Sequence, residues 1–167
     1  MPAPPLPVLS SADQFAWRVA ARIDFIVNLL LNGAIAWWFY GAAPRVALAG
    51  PGSMESMLVS MAFFLCAITT VFGWWNAVRE RRAGRVTPGL ADAAGWFGRA
   101  LVDGVAAGAI GVATMWMTLR VVDRTIPAAA LPGSAAVAAI ALAAGGLGYL
   151  FHGRAVVRGG RWRAAPA

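Results

Sequence analysis

The sequence predicts an all-α integral membrane protein, a bundle of four transmembrane helices arranged as two similar hairpins. Composition is the first ground for this prediction, because 60% of the residues are hydrophobic and only 13% are charged. Charged residues make up about 25% of an ordinary soluble domain. The second ground is length, since the chain contains four apolar runs near the roughly 20 residues that a helix needs to cross a bilayer. The third is the placement of arginine beside these runs.

The first hairpin is expected over residues 15–82. A flexible cytoplasmic arm, residues 1–14, precedes it and lacks the basic and apolar regions of a signal peptide. The hairpin contains one transmembrane helix at about 23–40 and a second at about 55–78. A tryptophan pair lies near the end of both apolar runs, as is typical of a membrane interface.

The second hairpin is expected over residues 92–158, with helices at about 95–119 and about 134–151. A basic cytoplasmic tail, residues 159–167, follows the last helix. At 167 residues the chain has the length of one domain, so we expect a single membrane domain.

Arginine is distributed unevenly between the two sides of this predicted bundle. Ten arginines lie in the N-terminal region, the middle loop and the tail, whereas three lie in the other two loops. Because basic loops stay in the cytoplasm, we expect both termini there, in a multi-pass protein of a bacterial inner membrane. The middle-loop arginines flank apolar runs, so their expected partners are anionic lipid headgroups and not nucleic acid. They are Arg79, Arg81, Arg82 and Arg85.

The two predicted hairpins share an internal pattern, W-x6-D-x12-W. Its two copies consist of Trp17, Asp24 and Trp37, and of Trp96, Asp103 and Trp116. Pro-Gly-Ser precedes the second helix of each hairpin and Arg-[Ala/Gly]-Gly-Arg follows it, so that matched positions are 79, 81 and 76 residues apart. This order predicts parallel repeats related by an axis along the membrane normal. Chance similarity within an Ala-, Gly- and Arg-rich chain is the alternative.

Polar residues within the apolar runs mark the candidate site. Asp24, Asn28 and Asn32 are four residues apart and would form one ridge along a helix. Arg99 and Asp103 are one turn apart in the third helix and can pair there. Hydrocarbon offers these groups no partner, so they must face protein, water or a ligand. We therefore predict a polar cluster in the cytoplasmic half of the bundle, with the two carboxylates facing a shared interior.

Three roles are open for this cluster. Arg99 can pair with Asp103, or bridge it to Asp24, in a charge network that only fixes helix register. A surplus carboxylate in low dielectric can instead exchange a proton or bind a cation. Arg99 can also contact an anionic lipid or a substrate. The two asparagines either hydrogen-bond across helices or line an aqueous cavity. The residues expected to support the cluster are Thr69, Asn76 and Tyr149.

Glycines flatten one face of the third helix and one face of the fourth. They are Gly104, Gly108 and Gly111 in the third, and Gly145 and Gly148 in the fourth. Faces of small residues let membrane helices approach closely. We expect this close packing inside the bundle, with a homodimer interface as the alternative.

Other single residues have modest expected roles. His152 is expected beside lipid headgroups, and Cys66 is expected to be a small buried hydrophobe. Glu55 should lie at the outer interface, either solvated or opposite Arg45. Anchoring at the membrane interface explains most of the eight tryptophans without a bound pigment or quinone.

The sequence argues against an enzyme. It contains no P-loop, no HExxH, no GxSxG and no GxGxxG that opens a helix after a strand. The ligand sets of zinc and haem sites are missing too, so we expect neither a metal nor a cofactor. The first functional hypothesis is a permease- or channel-like protein that moves a small solute or ion through the polar cluster, as a homo-oligomer. The alternative is a non-catalytic accessory or scaffold subunit of a larger membrane complex.

Overall fold

The computed structural model describes residues 10–87, 95–125 and 130–161. Residues 1–9 of the predicted arm and residues 162–167 of the predicted tail lie outside the described residues. Within the described part, four helices are long and apolar enough to cross a membrane, as the sequence predicts.

The described elements are helices joined by short connections. The helical elements are α1 (Ala12–Phe15), a π-helical turn (Ala16–Ala20), α2 (Ala21–Tyr40), α3 (Met54–Arg82), α4 (Trp96–Thr125) and α5 (Gly133–Arg161). The strands are two residues long each, and they are β1 (Ser10–Ser11), β2 (Val46–Ala47), β3 (Val86–Thr87) and β4 (Ala130–Leu131). The π-helical turn continues directly into α2, so the first membrane-crossing rod extends over Ala16–Tyr40.

The outward surface of the bundle is apolar along its length. Large apolar side chains are more than half exposed on α2, α4 and α5, for example Leu30 at 63%, Val102 at 62% and Leu142 at 60%. Soluble proteins rarely expose apolar surface on this scale. Together with the four long helices, this surface indicates a multi-pass membrane protein.

The helices are longer than the apolar runs that predict them. α5 continues to Arg161, ten residues past its expected end at position 151, and so includes the first part of the segment expected as a tail. Its final turns bury Ala155, Val156 and Gly159. A helix of 29 residues is about 43 Å long, whereas the hydrocarbon layer is about 30 Å thick. Apolar content therefore predicts a length that matches the hydrocarbon layer and misses the further helical turns up to Arg161.

The expected arm is also partly structured where the structure describes it. β1 pairs in parallel with β3, so that Ser10 lies opposite Val86. β2 pairs antiparallel with β4, so that Val46 lies opposite Leu131. The second pairing joins the connection between α2 and α3 to the connection between α4 and α5.

The centre of the bundle is the packed pair of helices α3 and α5. α2 packs against α5, and α4 packs against α3. Small residues bring the central pair together, because a Cβ atom added at Gly73 would lie 2.6 Å from the Cβ atom of Ala155. Close packing of small side chains is a main source of helix association in lipid. The centre of the bundle between α3 and α5 therefore contains no open passage at Gly73.

The two ends of the bundle differ in charge. We call the end at which α3 and α5 finish and α4 begins the arginine-rich end, and the other the opposite end. The arginines in the last turns of α3 and α5 are Arg79, Arg81, Arg82, Arg158 and Arg161.

Candidate functional site

The first polar cluster joins three helices at Asp24. The Nδ2 atom of Asn28 donates to the Oδ2 atom of Asp24 at 2.9 Å, within α2. The Nδ1 atom of His152, on α5, lies 3.2 Å from the Oδ1 atom of Asp24. On its other side, the Nε2 atom of His152 lies 3.2 Å from the Nδ2 atom of Asn76, on α3. We call Asp24, Asn28, Asn76 and His152 the Asp24 cluster.

The hydrogen-bond partners define the tautomer of the neutral imidazole. An amide nitrogen only donates, so the Nε2 atom of His152 accepts from Asn76 and the ring proton lies on Nδ1, beside Asp24. This Nδ1 atom is buried, and it lies close to the carboxylate without the alignment of a hydrogen bond. A buried polar atom without a hydrogen-bond partner is uncommon in a folded protein.

A groove between α2 and α3 leads to this cluster. The groove has a volume of about 300 Å³, and Asp24, Asn76 and His152 are among its lining residues. Its walls include Ile23 and Phe72, whose side chains are 59% and 55% exposed on the outside of the bundle. The groove is therefore open at the side of the protein, with polar groups inside and apolar walls.

The second polar cluster surrounds Asp103 on α4. The Nε1 atom of Trp74, on α3, donates to the Oδ2 atom of Asp103 at 3.1 Å. The Oδ1 atom of Asp103 lies 3.5 Å from Arg99 Nε and 3.3 Å from the terminal nitrogen of Arg158 on α5. Asp103 is 6% exposed and Trp74 is 2% exposed. We call Trp74, Arg99, Asp103 and Arg158 the Asp103 cluster.

The structure does not bring the two carboxylates to a shared interior, contrary to the prediction. Asp24 has His152 as its basic neighbour, whereas Arg99 pairs with Asp103. α2 packs on α5 and α4 packs on α3, so the central helix pair lies between Asp24 on α2 and Asp103 on α4. The spacing of residues along each helix could not reveal this, because it does not state which helices become neighbours.

The asparagine ridge is buried, but its described hydrogen bonds stay within α2. Asn28 Nδ2 also donates to the carbonyl of Asp24 at 2.9 Å, and Asn32 Nδ2 donates to the carbonyl of Asn28 at 3.0 Å. The ridge packs against Gly148 of α5, where an added Cβ atom would lie 2.6 Å from Asp24 Oδ2 and 2.8 Å from Asn28 Nδ2. Glycine at position 148 thus makes room for the polar ridge.

Of the three residues expected to support the cluster, the described contacts connect one to it. Asn76 contacts His152. Thr69 is buried, and its hydroxyl donates to the carbonyl of Cys66 at 3.4 Å. The ring of Tyr149 lies 5.4 Å from the ring of Trp17.

The five glycines expected at helix contacts lie against neighbouring helices of the same chain. Cβ atoms added at Gly104, Gly108 and Gly111 would all meet atoms of α3 within 3.1 Å. The same test at Gly145 and Gly148 meets atoms of α2 within 3.0 Å. One of the neighbours of Gly111 is the buried Cys66.

Three members of the clusters were not predicted as site residues, and they are Trp74, His152 and Arg158. His152 is 4% exposed and contacts Asp24, although the sequence suggested a place beside lipid headgroups. Trp74 is buried, although its position suggested an interfacial belt. Trp74 and His152 are 78 residues apart, which lies within the offsets of 76 to 81 residues between the repeat motifs. This offset was the available sequence signal that the two residues occupy matching positions. It is hard to recognise because one residue is a tryptophan and the other a histidine.

Three of the four middle-loop arginines, Arg79, Arg81 and Arg85, have described partners within the protein. Glu80 is 5% exposed and pairs with Arg85 at 2.6 Å and with Arg79 at 3.1 Å. The hydrogen bond with Glu80 raises the pKa of Arg85 above its ordinary value. Arg81 is 4% exposed and donates to the carbonyl of Gly159 at 2.9 Å. Arg81 is therefore directed inward, because the end of α5 covers it.

The opposite end has its own ion pair. Glu55 on α3 pairs with Arg120 on α4 at 2.9 Å, and not with Arg45 as considered from the sequence. Arg120 also lies over the ring of Trp116, at 5.5 Å from the centroid. The packing of α4 on α3 explains this choice of partner, because it places the two side chains next to each other.

The polar clusters lie toward the arginine-rich end of the bundle, about one bilayer thickness from the Glu55 ion pair. Trp74 follows Glu55 by 19 residues on α3, or about 29 Å, and Asp103 precedes Arg120 by 17 residues on α4, or about 26 Å. The hydrocarbon layer is about 30 Å thick. If the Glu55 pair lies at one interface, Trp74 and Asp103 therefore lie close to the other, and so does Asn76 of the Asp24 cluster, two residues after Trp74 on α3.

The described residues contain no group of three His, Cys, Asp or Glu side chains that could hold a metal ion.

Comparison with known proteins provides no family, because no family model, no curated protein and no solved structure matches the chain. The interpretation of the two clusters therefore depends on their geometry and charge.

Proposed function

We propose that the protein is a small permease-like membrane protein that moves a proton or a small cationic solute through the groove at the Asp24 cluster. The observation that carries this proposal is the Asp24–His152 pair, 3.2 Å apart, in a groove open between α2 and α3. Ionisable side chains inside membrane segments are costly and commonly mark ion or proton pathways.

The residue types fit a cation or a proton better than an anion. Asp24 supplies a carboxylate that is 15% exposed, and His152 is neutral when it accepts from Asn76. Imidazole can carry a proton on either of its two ring nitrogens, so it can accept a proton on one side and release one from the other. A small cation could replace that proton beside the carboxylate.

The proposed path requires movement of α2. The groove extends no deeper than Val27 and Phe72, and beyond it Ala36 and Ile140 belong to a fully buried core. The central pair of α3 and α5 is closed by the contact of Gly73 with Ala155. Passage is therefore proposed along the side of this pair, as α2 separates from its neighbours.

We also propose that the two hairpins are parallel repeats, as their motifs suggest. Supporting this, the first helix of each hairpin packs on the second helix of the other. In each such contact a carboxylate faces a ring nitrogen, Asp24 with His152 and Asp103 with Trp74. Repeats of this kind are frequent in transporters. The arginine distribution supports placing both termini in the cytoplasm, with the membrane being a bacterial inner membrane.

The second candidate function is an accessory subunit of a larger membrane complex. The closed contact between α3 and α5 favours it, because a subunit without a central passage needs only to pack. In that case the Asp24 cluster fixes helix register, and partner helices cover part of the apolar exterior.

Flux through proteoliposomes separates the two candidates. Purified protein is reconstituted, and proton entry under an imposed membrane potential is followed with a pH-sensitive dye, with and without ethidium as a cationic probe. We expect flux from the unmodified protein and its loss in Asp24→Asn. Glu55→Gln is the matched control, because Glu55 is also a paired carboxylate with a 15% exposed side chain, at the opposite end. Absence of flux from the folded unmodified protein, together with a stoichiometric membrane partner after purification, would favour the accessory subunit.

A further inference from the structure

The surroundings of Asp103 carry an excess of positive charge. Arg99 and Arg158 flank this carboxylate, and Arg154 lines the same cleft. Three guanidinium groups and one carboxylate give a formal charge of +2. Arg154 is exposed and makes no hydrogen bond or ion pair to the residues that the structure describes. The groove at Asp24 differs, because its Arg79 pairs with Glu80.

The cleft is polar toward the arginine-rich end and apolar toward the bilayer centre. Its charged lining consists of Asp103, Arg154 and Arg158, and its apolar lining includes Ile110 and Phe151. Ile110 follows Asp103 by seven residues on α4 and so lies about 10 Å deeper along the helix. Phe151 precedes the two arginines on α5, which also places it deeper. This is the polarity of a phospholipid, with its phosphate above its acyl chains.

We propose that this cleft binds the phosphate group of an anionic phospholipid. The Asp103 carboxylate holds Arg99 and Arg158 at 3.5 and 3.3 Å and so positions them. Each guanidinium has five N–H donors, so both keep donors for a second acceptor. Arg154 contributes a third, and planar guanidinium groups bind phosphate oxygens in pairs. The cleft itself measures about 50 Å³, so the headgroup occupies its mouth, with an acyl chain along Ile110.

Titration of detergent-solubilised protein with single lipids, followed by native mass spectrometry, tests this site. The lipids are phosphatidylglycerol, which is anionic, and phosphatidylcholine, which is zwitterionic. We expect the unmodified protein to prefer phosphatidylglycerol. Loss of a hydrogen bond to a charged group lowers affinity about tenfold or more, so the double variant Arg154→Gln/Arg158→Gln should bind phosphatidylglycerol about a hundredfold more weakly. Its affinity for phosphatidylcholine should not change.

The matched control is Arg22→Gln/Arg82→Gln, which removes the same charge from two exposed positions near the same end. Equal weakening in both double variants would overturn the site, since it would show general attraction of anionic lipid. Equal affinity of the unmodified protein for both lipids would overturn it as well. Inorganic phosphate that competes at millimolar concentration would assign the cleft to a soluble anion and contradict the lipid. If the double variant does not fold, Arg154→Gln alone provides the test, because it breaks no described contact.

Discussion

His152 on α5 faces Asp24 on α2, with the imidazole Nδ1 atom 3.2 Å from the carboxylate Oδ1 atom. On the other side of the central helix pair, Trp74 Nε1 donates to Asp103 at 3.1 Å. Each contact joins the first helix of one hairpin to the second helix of the other. The two hairpins are thus connected through the partly buried carboxylate of Asp24 and the buried carboxylate of Asp103, near the arginine-rich end.

Gly148→Ala should destabilise the protein by crowding the polar ridge of α2. The added Cβ atom would lie 2.6 Å from Asp24 Oδ2 and 2.8 Å from Asn28 Nδ2. Overpacking of this kind costs about 1–3 kcal/mol. Thermal unfolding in detergent should therefore occur at a lower temperature than in the unmodified protein.

Gly146→Ala is the control for this substitution. Nothing lies within 4 Å of a Cβ atom added at Gly146, which is on the same helix. Alanine favours helix over glycine by up to about 1 kcal/mol, so this variant should be as stable as the unmodified protein or more stable. Equal destabilisation by both substitutions would show that α2 does not pack on Gly148.

Trp74→Phe should lower the free energy of unfolding, because it removes the hydrogen-bond donor that α3 provides to Asp103. The carboxylate is buried and accepts from Trp74 Nε1, so the substitution leaves an oxygen without that bond. Loss of a hydrogen-bond partner at a buried group costs about 1–3 kcal/mol. Unfolding in denaturant measures the difference in free energy of unfolding between the variant and the unmodified protein. Trp75→Phe is the control, because Trp75 is 44% exposed, and unchanged stability in Trp74→Phe would refute the role given to the bond.

Cysteine labelling should reveal the orientation of the bundle. In a Cys66→Ser background, Arg82→Cys marks the arginine-rich end and Ser134→Cys the opposite end, and both positions are exposed. A membrane-impermeant maleimide added to whole bacterial cells should label position 134 and leave position 82 unlabelled, because the arginine-rich end is expected in the cytoplasm. Both should react after the cells are opened. The reverse pattern in whole cells would place the arginines outside.

The four helices could be predicted from the sequence because a bilayer imposes a length on apolar runs. The ends of those helices could not, because arginine-bearing turns such as those of α5 up to Arg161 no longer have an apolar signature. Strand pairs such as Ser10 with Val86 have no signature at all over two residues.

The candidate site could be predicted only in part, for a related reason. The four-residue spacing predicts that Asp24, Asn28 and Asn32 share one face of α2, and Asp24 and Asn28 do lie together against Gly148 of α5. Spacing along one helix cannot say that α2 adjoins α5, so the partner of Asp24 was missed. No sequence motif around His152 indicated that it would contact Asp24. The duplication of the hairpins stays a prediction.

The claim that solute passes beside α2 is tested most directly by fastening α2 to α5. A Cβ atom at Gly33 would lie 3.2 Å from the Cβ atom of Ala141, close to the spacing of a disulfide. Gly33→Cys/Ala141→Cys in the Cys66→Ser background should form that disulfide, and proton flux through proteoliposomes is then measured before and after reduction. We expect little flux in the oxidised protein and recovery on reduction. Full flux with the disulfide quantitatively formed would contradict a path that opens by movement of α2.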